Sequence, residues 1–144
     1  MKKLSLTAFL LILFVTGCGK KQTLTCQKTE TNDNGIVLTQ DVKINFKEDI
    51  VTEVSLESTV KVTEEQKAYL EEAASSLETA MEKYKDRNGI TYKSEKSSDS
   101  IKIILKEKMA SISESDKEEL GINYGKQSIS AVKQGFEEQG FNCK

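Results

Sequence analysis

The sequence predicts an α+β fold, with one antiparallel β-meander sheet in the order β-β-β-α-β-β-α and helices packed on one face of a single domain. Three observations support this prediction. Apolar residues alternate with polar ones in several runs, as expected for half-buried strands. One longer stretch repeats its apolar residues every three or four positions, as expected for a helix. The turns between successive strands are short, which favours antiparallel neighbours.

Two turns connect the first three predicted strands. Leu24 to Thr31 is β-prone and is followed by Asn32-Asp33-Asn34-Gly35, where Asn-Gly favours a hairpin with a type I′ turn. Ile36 to Lys47 is the second predicted strand, and a turn at Glu48-Asp49 leads to the third. Ser58 interrupts the apolar set of the third strand and predicts a bulge or strand end. The apolar positions of the third strand are Val54, Leu56, Val60 and Val62.

A helix near residues 64–87 follows these strands. Thr63 and Gln66 match a capping box, in which the two side chains satisfy backbone N–H groups of the first turn. Asn88-Gly89 ends the helix, because glycine adopts the left-handed conformation without steric cost. The predicted apolar stripe consists of Leu70, Ala73, Leu77, Met81 and Tyr84.

The remaining elements are shorter. Strands are predicted from Ile90 and around Ile101 to Leu105, with a turn at 96–100 between them. A short helical segment spans roughly Glu114 to Leu120. Ser128 caps a last helix that ends at Gly140, after which the terminus returns to the domain.

The N-terminus has the pattern of a secretory signal peptide. Met1-Lys2-Lys3 is positively charged, and the apolar run Leu4 to Val15 is followed by two small residues. This run is shorter than the roughly 20 apolar residues that a membrane-spanning helix needs. We therefore predict that residues 1–17 are cleaved.

The motif Val15-Thr16-Gly17-Cys18 resembles the lipobox of bacterial lipoproteins. The resemblance implies cleavage before Cys18 and attachment of a diacylglyceryl group to its sulfur. The alternative is an ordinary signal peptide with a cysteine nearby. We expect an exported protein that is lipid-anchored to the cell membrane and faces outside the cytoplasm, on the cell surface or in the periplasm. Residues 18–23 would be the lipid-anchor cysteine and a short tether, and residues 24–144 the domain.

The short tether predicts that the domain lies close to the bilayer. Lys20 and Lys21 are placed where they could meet anionic headgroups.

Two cysteines remain for the domain, Cys26 and Cys143. Cysteines of an exported domain most often pair, so we predict a disulfide between the two ends of the domain. Free thiols and a metal site are the competing interpretations. The chain has no histidine, and a zinc site generally uses about four Cys and His ligands.

Charge and composition exclude several classes of function. Without residues 1–17 the chain has 19 Lys and Arg (21 less Lys2 and Lys3) against 23 Asp and Glu, a net charge of −4. No clustered basic footprint is visible in the sequence, so we predict no nucleic-acid partner. The absence of histidine excludes a Ser-His-Asp triad. We predict no catalytic, cofactor-binding or metal-ligating residue and no cofactor.

Several phrases resemble the small YehR-like lipoproteins of bacteria. They are Leu24-Thr-Cys26, the strand phrase from Val42 to Val54, Asn88-Gly89-Ile90-Thr-Tyr92 and Gly140-Phe-Asn-Cys143. The resemblance covers nearly all of the chain after the leader. It implies a lipoprotein with an α+β fold, and it supplies no catalytic residues.

The predicted function is that of a membrane-tethered, non-enzymatic envelope domain that binds an unknown protein or small ligand. A small hydrolase acting on cell-wall sugars through two carboxylates is the alternative. A solute-binding component of a transporter is a third hypothesis, although the chain is short for a two-lobed clamp. The candidate carboxylate pairs are Glu64-Glu65, Glu71-Glu72, Glu118-Glu119 and Glu137-Glu138.

Overall fold

A computed structural model describes residues 19–122 and 125–144 of the chain. The predicted signal peptide and the predicted lipid-bearing Cys18 lie outside these residues. Among the helices that are described, none combines the length and the hydropathy required to cross a bilayer.

The described chain forms six strands and three α-helices. The strands are β1 (Lys21–Thr31), β2 (Val37–Lys47), β3 (Ile50–Lys61), β4 (Ile90–Lys96), β5 (Ser100–Lys108) and β6 (Asn142–Cys143). The helices are α1 (Lys67–Met81), α2 (Glu114–Leu120) and α3 (Ile129–Glu138).

The strands form one antiparallel sheet in the order β4-β5-β3-β2-β1-β6, and the predicted α+β class is confirmed. The meander extends over β1, β2 and β3. It does not continue directly to β4, because α1 carries the chain to the outer edge and β5 returns to pair with β3. The two-residue strand β6, which the sequence did not predict, pairs with β1.

One face of the sheet is apolar and carries the core. The register places Leu24, Ile44 and Val54 in one row across β1, β2 and β3. Helix α3 packs on this part of the face through Ile129, Val132 and Phe136. Helix α1 covers the other end of the same face through Leu70, Ala74 and Leu77. Both long helices therefore lie on one side of the sheet, as predicted.

Helix α1 differs from the prediction in two details. Ala74 packs against the sheet, whereas Ala73 of the predicted stripe is exposed. The helical region ends with a 3₁₀ turn at Glu82–Tyr84 and does not extend to residue 87. At the start, the side-chain carbonyl of Gln66 accepts a hydrogen bond from the Thr63 backbone N–H at 3.4 Å. The amide of Gln66 also donates to the Asn34 carbonyl oxygen, so the helix start is tied to the β1–β2 turn.

Strand β1 begins at Lys21, three residues before the predicted Leu24. The predicted tether of residues 18–23 therefore overlaps the strand. Lys21 to Thr23 pair with Asn45 to Lys47 at the end of β2. This pairing adds three residues to the start of β1.

The β1–β2 turn is a hairpin turn, but it is not of type I′. The Gly35 N–H donates to the Asn32 carbonyl oxygen, which places Asp33 and Asn34 at the centre of the turn. Neither central residue has a positive φ, and Gly35 follows them at φ 78°. The Asn32 side chain stabilises this geometry by accepting from the N–H groups of Asn34 and Ile36.

The β2–β3 turn is the one that has type I′ character. Its two central residues, Glu48 and Asp49, have φ values of 52° and 62°, and Lys47 pairs with Ile50 across it. A left-handed conformation costs an ordinary L-residue roughly 1–2 kcal/mol. This turn therefore stores local strain that Asn-Gly would relieve.

We expect the double substitution Glu48→Asn, Asp49→Gly to raise the free energy of unfolding by about 1 kcal/mol, because Asn and Gly tolerate positive φ. Urea denaturation would measure the change. The control is Asn34→Gly in the first turn, where φ is not positive and no gain is expected. Equal effects in the two turns would contradict the assignment.

The bulge lies at Thr52 and not at Ser58. Asn45 pairs with Glu53 and Phe46 with Val51, so Thr52 is the extra residue of β3. Its hydroxyl donates to the Asn45 carbonyl oxygen at 3.1 Å. Ser58 keeps regular register between Gln40 and Ile103. The prediction of a bulge or strand end at Ser58 is wrong.

Candidate functional site

The second face of the sheet, which we call the open face, carries polar side chains almost throughout. No described helix packs on it, because α1 and α3 both contact the apolar face. Threonine and lysine dominate the open face, and Ile104 is an apolar residue near its centre. The register assigns to it Thr23, Thr25, Thr29, Thr39, Lys43, Asn45, Ser55, Thr59, Thr91, Lys102, Lys106 and Lys108, among others.

Charge is distributed unevenly along the open face. In the half that contains the start of β1 lie five exposed lysines, Lys21, Lys43, Lys47, Lys106 and Lys108, which we call the lysine patch. Glu53, which pairs with Lys108 across β3 and β5, is the acidic residue in those rows. The other half holds Lys93 and Lys102 together with Asp41, Glu57 and Glu95.

The register brings these lysines close together. Lys43 on β2 and Lys106 on β5 both lie opposite Ser55 of the intervening β3. Strands are spaced about 4.8 Å apart, so the two Cα atoms are separated by roughly 10 Å. Lys21 lies directly opposite Lys47. Like charges at such positions repel and destabilise the pairing.

The patch lysines lack carboxylate partners within residues 19–122 and 125–144; the ion pairs there involve other lysines. Lys102, outside the patch, shows the contrasting situation. Its ammonium lies 2.6 Å from Glu57, and this hydrogen bond raises the pKa of Lys102. Asp41 accepts a hydrogen bond from Gln27 at 2.7 Å. In the far half, Lys102, Glu57 and Asp41 therefore have internal partners, whereas the ammonium groups of the patch face solvent.

Two shallow clefts are lined in part by patch lysines. One, of about 430 Å³, is lined by Glu53, Thr91, Lys93, Ile104, Lys106 and Lys108. The other, of about 450 Å³, lies at the bulge and includes Lys21, Thr23, Asn45, Lys47 and Thr52 in its walls. Both present ammonium groups, which are hydrogen-bond donors to phosphate or carboxylate oxygens; the Thr23 and Thr52 hydroxyls already donate to Asn45.

The described chain enters the domain at the same end. Lys20 accepts a hydrogen bond from the Glu48 N–H at 3.3 Å, and the Glu48 side chain covers Gly19. Ile50, at this end of β3, is 52% exposed. Lys126 forms an isolated bridge with Ile50 and is also exposed. The end of the sheet next to Cys18 in sequence is thus the end that carries the patch.

The two cysteines of the domain lie on the apolar face. Cys26 on β1 is directly opposite Cys143 on β6, and the two are joined by a disulfide with Cα atoms 4.1 Å apart. Thr25 and Lys144 exchange two backbone hydrogen bonds beside them, at 3.1 and 2.8 Å. The cysteines therefore occupy the adjacent non-hydrogen-bonded position, where paired residues approach more closely.

The four predicted carboxylate pairs are dispersed over the surface. Every member is exposed, and the pairs lie on or beside helices rather than within a shared cleft. Four of the eight carboxylates lie next to cations, namely Glu64 with Lys67, Glu71 with Lys96, Glu119 with Arg87 and Glu137 with Lys133. These eight positions therefore do not bring two carboxylates together in one cleft, as the hydrolase hypothesis requires. No cluster of three potential metal ligands occurs within the described residues.

Among the described residues, Arg87 forms ion pairs with two carboxylates. Its guanidinium donates to both Asp116 and Glu119 of α2 and thereby fixes this short helix to the end of the α1 region. Hydrogen bonds from Ser113 and Arg87 lower the pKa of Asp116. We interpret this cluster as structural, because its charges satisfy one another.

The sequence predicted a position near headgroups for Lys21, but it did not predict that four further lysines join it in a patch. The patch is built from three strands separated by up to 87 residues, between Lys21 and Lys108. The alternation of Lys102, Lys106 and Lys108 with apolar residues does predict that they share one face. No local pattern, however, predicts that β5 inserts beside β3 and approaches Lys43.

Comparison with known proteins relates the fold to two solved structures. An NMR structure of a protein from Streptococcus pneumoniae TIGR4 matches with a TM-score of 0.58 and 16% identity, over 100% of this chain and 97% of that chain. The NMR structure of E. coli YehR matches with a TM-score of 0.58 and 19% identity, over 87% and 91% of the two chains. No protein-family model and no curated protein matches the sequence. On this evidence the chain has a YehR-like fold.

Proposed function

We propose that this chain is a lipid-anchored, non-enzymatic domain of the bacterial cell envelope that binds an envelope partner through the open face of its sheet. The leader, the lipobox-like motif and the two remaining cysteines support an exported, anchored protein. The open face supports binding, and it is the observation on which the proposal chiefly rests.

Two features distinguish this face from an ordinary solvated surface. Lysines on edge strands commonly prevent sheets from pairing with one another, but β2 and β5 are interior strands of this sheet. Lys43 and Lys106 therefore do not serve that purpose. They lie in rows where five lysines accompany one glutamate, although the chain without its leader is acidic. A local excess of one charge in a protein of the opposite net charge favours a complementary partner.

Anchoring is tested by Cys18→Ala in the full-length protein. This change removes the sulfur that would carry the lipid, so we expect the membrane-associated fraction to fall by at least about tenfold. Cell fractionation and intact mass would measure the effect. Wild-type protein should lack residues 1–17 and carry added lipid mass. The matched control is Cys26→Ala, which should retain the lipid. A Cys18→Ala protein that stays in the membrane fraction would argue against the anchor.

Binding at the open face is tested separately. A photo-reactive residue at Ser55, between Lys43 and Lys106, should cross-link to an envelope component in intact cells. The comparison position is Glu72, which is exposed on α1. Cross-links of equal yield from the two positions, or none from Ser55, would contradict binding at this face.

A further inference from the structure

We infer that the partner of the open face is the anionic headgroup surface of the membrane to which the protein is anchored. The lysine patch lies against lipid phosphates, with Lys93 at the border of the contact. The inference rests on the proposed function, because it assumes that Cys18 carries the lipid. It adds an identity for the partner and an orientation for the domain.

The first argument is the position of the patch relative to the anchor. Two residues, Gly19 and Lys20, separate Cys18 from Lys21, so their Cα atoms can be at most about 11 Å apart. Lys21 is itself a patch lysine, and Lys47 is its direct partner across the strands. A lipid at Cys18 therefore brings this end of the sheet to the bilayer surface without any further movement of the chain.

The second argument is charge complementarity along the sheet. Anionic headgroups attract basic residues only within about a Debye length of the surface. The three rows nearest the chain entry hold all five patch lysines and Glu53, and Glu48 and Asp49 lie in the adjoining β2–β3 turn; Asp41, Glu57 and Glu95 lie in the rows farther away. A domain lying on its patch would place its positive charges near the headgroups and the acidic residues of the farther rows away from them.

The third argument is the kind of group that the patch offers. Its ammonium groups face solvent without carboxylate partners in the described chain, and Lys21 and Lys47 repel one another across the strands. A phosphate between two such lysines relieves that repulsion. The Thr91 hydroxyl lines one of the two clefts and supplies a further donor. Exposed Ile50 adds an apolar side chain at the end nearest the anchor.

A lipid tether also makes weak contacts effective. Once the anchor is inserted, patch and headgroups belong to one assembly, and their encounter no longer depends on protein concentration. Lysines on a flat sheet, without a deep pocket, then suffice to orient the domain.

The test uses mature lipidated protein in vesicles of phosphatidylcholine, alone or with phosphatidylglycerol. Acylation of each lysine with a small reagent would be followed by mass spectrometry. In the anionic vesicles we expect the acylation rates of Lys43, Lys106 and Lys108 to fall by about threefold or more, and to recover when salt is raised to about 0.5 M. Lys67, Lys83 and Lys85, in and after α1, should react equally in both vesicles.

Two matched variants distinguish the effect of the patch lysines from the effect of net charge. In wild-type protein, anionic vesicles should also protect Lys47 in the patch and Lys93 at its border, and the triple variant Lys43→Gln, Lys106→Gln, Lys108→Gln should abolish this protection. The triple variant Lys67→Gln, Lys83→Gln, Lys85→Gln removes the same charge and should retain that protection.

The outcomes distinguish this inference from the proposed function. If intact mass shows the lipid but the patch lysines react equally in both vesicles, the orientation is wrong and the anchored domain stands. If the protein carries no lipid, the proposed function fails. Protection by soluble polyphosphate but not by anionic vesicles would overturn the membrane as partner in favour of a free polyanion.

Discussion

Replacing Cys26 and Cys143 together by alanine is expected to lower the free energy of unfolding by about 3–5 kcal/mol. The two cysteines are 117 residues apart, so the disulfide closes nearly the whole domain into one loop. Loss of this constraint lets the unfolded chain gain conformational entropy, by about 4.7 kcal/mol for a loop of 100 residues in the chain-entropy model. Both cysteines are also buried in the part of the core that α3 covers, and Cys26 has no solvent-exposed surface.

Urea denaturation monitored by circular dichroism would measure this change. Wild-type protein unfolded under reducing conditions is the control, because it loses the bond and keeps both sulfur atoms in the core. Its destabilisation should approach that of the double variant. A loss below about 1 kcal/mol in both would show that the ends of the domain are held by strand pairing alone.

A second large effect is expected for Phe46→Ala, which should destabilise the domain by about 3–5 kcal/mol. Phe46 is 2% exposed and is one of the two largest fully buried side chains of the described residues. It lies opposite Val51 at the bulge, within the cluster formed by β1, β2, β3 and α3. Its removal leaves a cavity that surrounding strands cannot fill without disturbing their register.

The control for Phe46 is Tyr69→Ala on α1. Tyr69 is 68% exposed, so the same truncation of an aromatic ring should change the free energy of unfolding by less than about 0.5 kcal/mol. Comparable losses at the two positions would contradict the location of the core on the α3 side of β2.

Elements with many repeats of a pattern were predictable from the sequence. Strand β2 alternates polar and apolar residues from Asp41 to Lys47, and α1 repeats its apolar residues through four turns. The sequence predicted less securely which of two adjacent residues faces the core. Ala73 and Ala74 both fit a helical stripe within the width of its apolar face, and the position of β4 and β5 decides that Ala74 is the one that packs. Strand β6 has two residues, too few for any pattern.

Turn geometry was predicted only in part, because local residue preferences compete with pairing between strands. Asn34-Gly35 is the favoured type I′ sequence, yet Asn32 accepts two backbone hydrogen bonds and stabilises a different turn. Glu48-Asp49 lacks that sequence, yet the register from Val37 to Lys47 leaves two residues to connect the strands. Right-handed twist then selects the type I′ geometry.

The candidate site was less predictable than the fold. The proposed anchor at Cys18 rests on the sequence alone, in which the leader and the lipobox-like motif are contiguous. The lysine patch depends on which strands are neighbours, and that depends on the path taken by α1 from β3 to β4. Composition also concealed it, because an overall acidic chain gave no indication of a basic region.

The pairing of the two ends has a consequence for the order in which the protein matures. Cys26 is synthesised 117 residues before its partner, an interval of roughly 6–23 s at about 5–20 residues per second. During this time Cys26 is a thiol without its partner. The nearest sulfur in the chain is then that of Cys18, eight residues away. Lipid attachment to Cys18, as proposed above, would convert it to a thioether and leave Cys143 as the remaining partner within the chain.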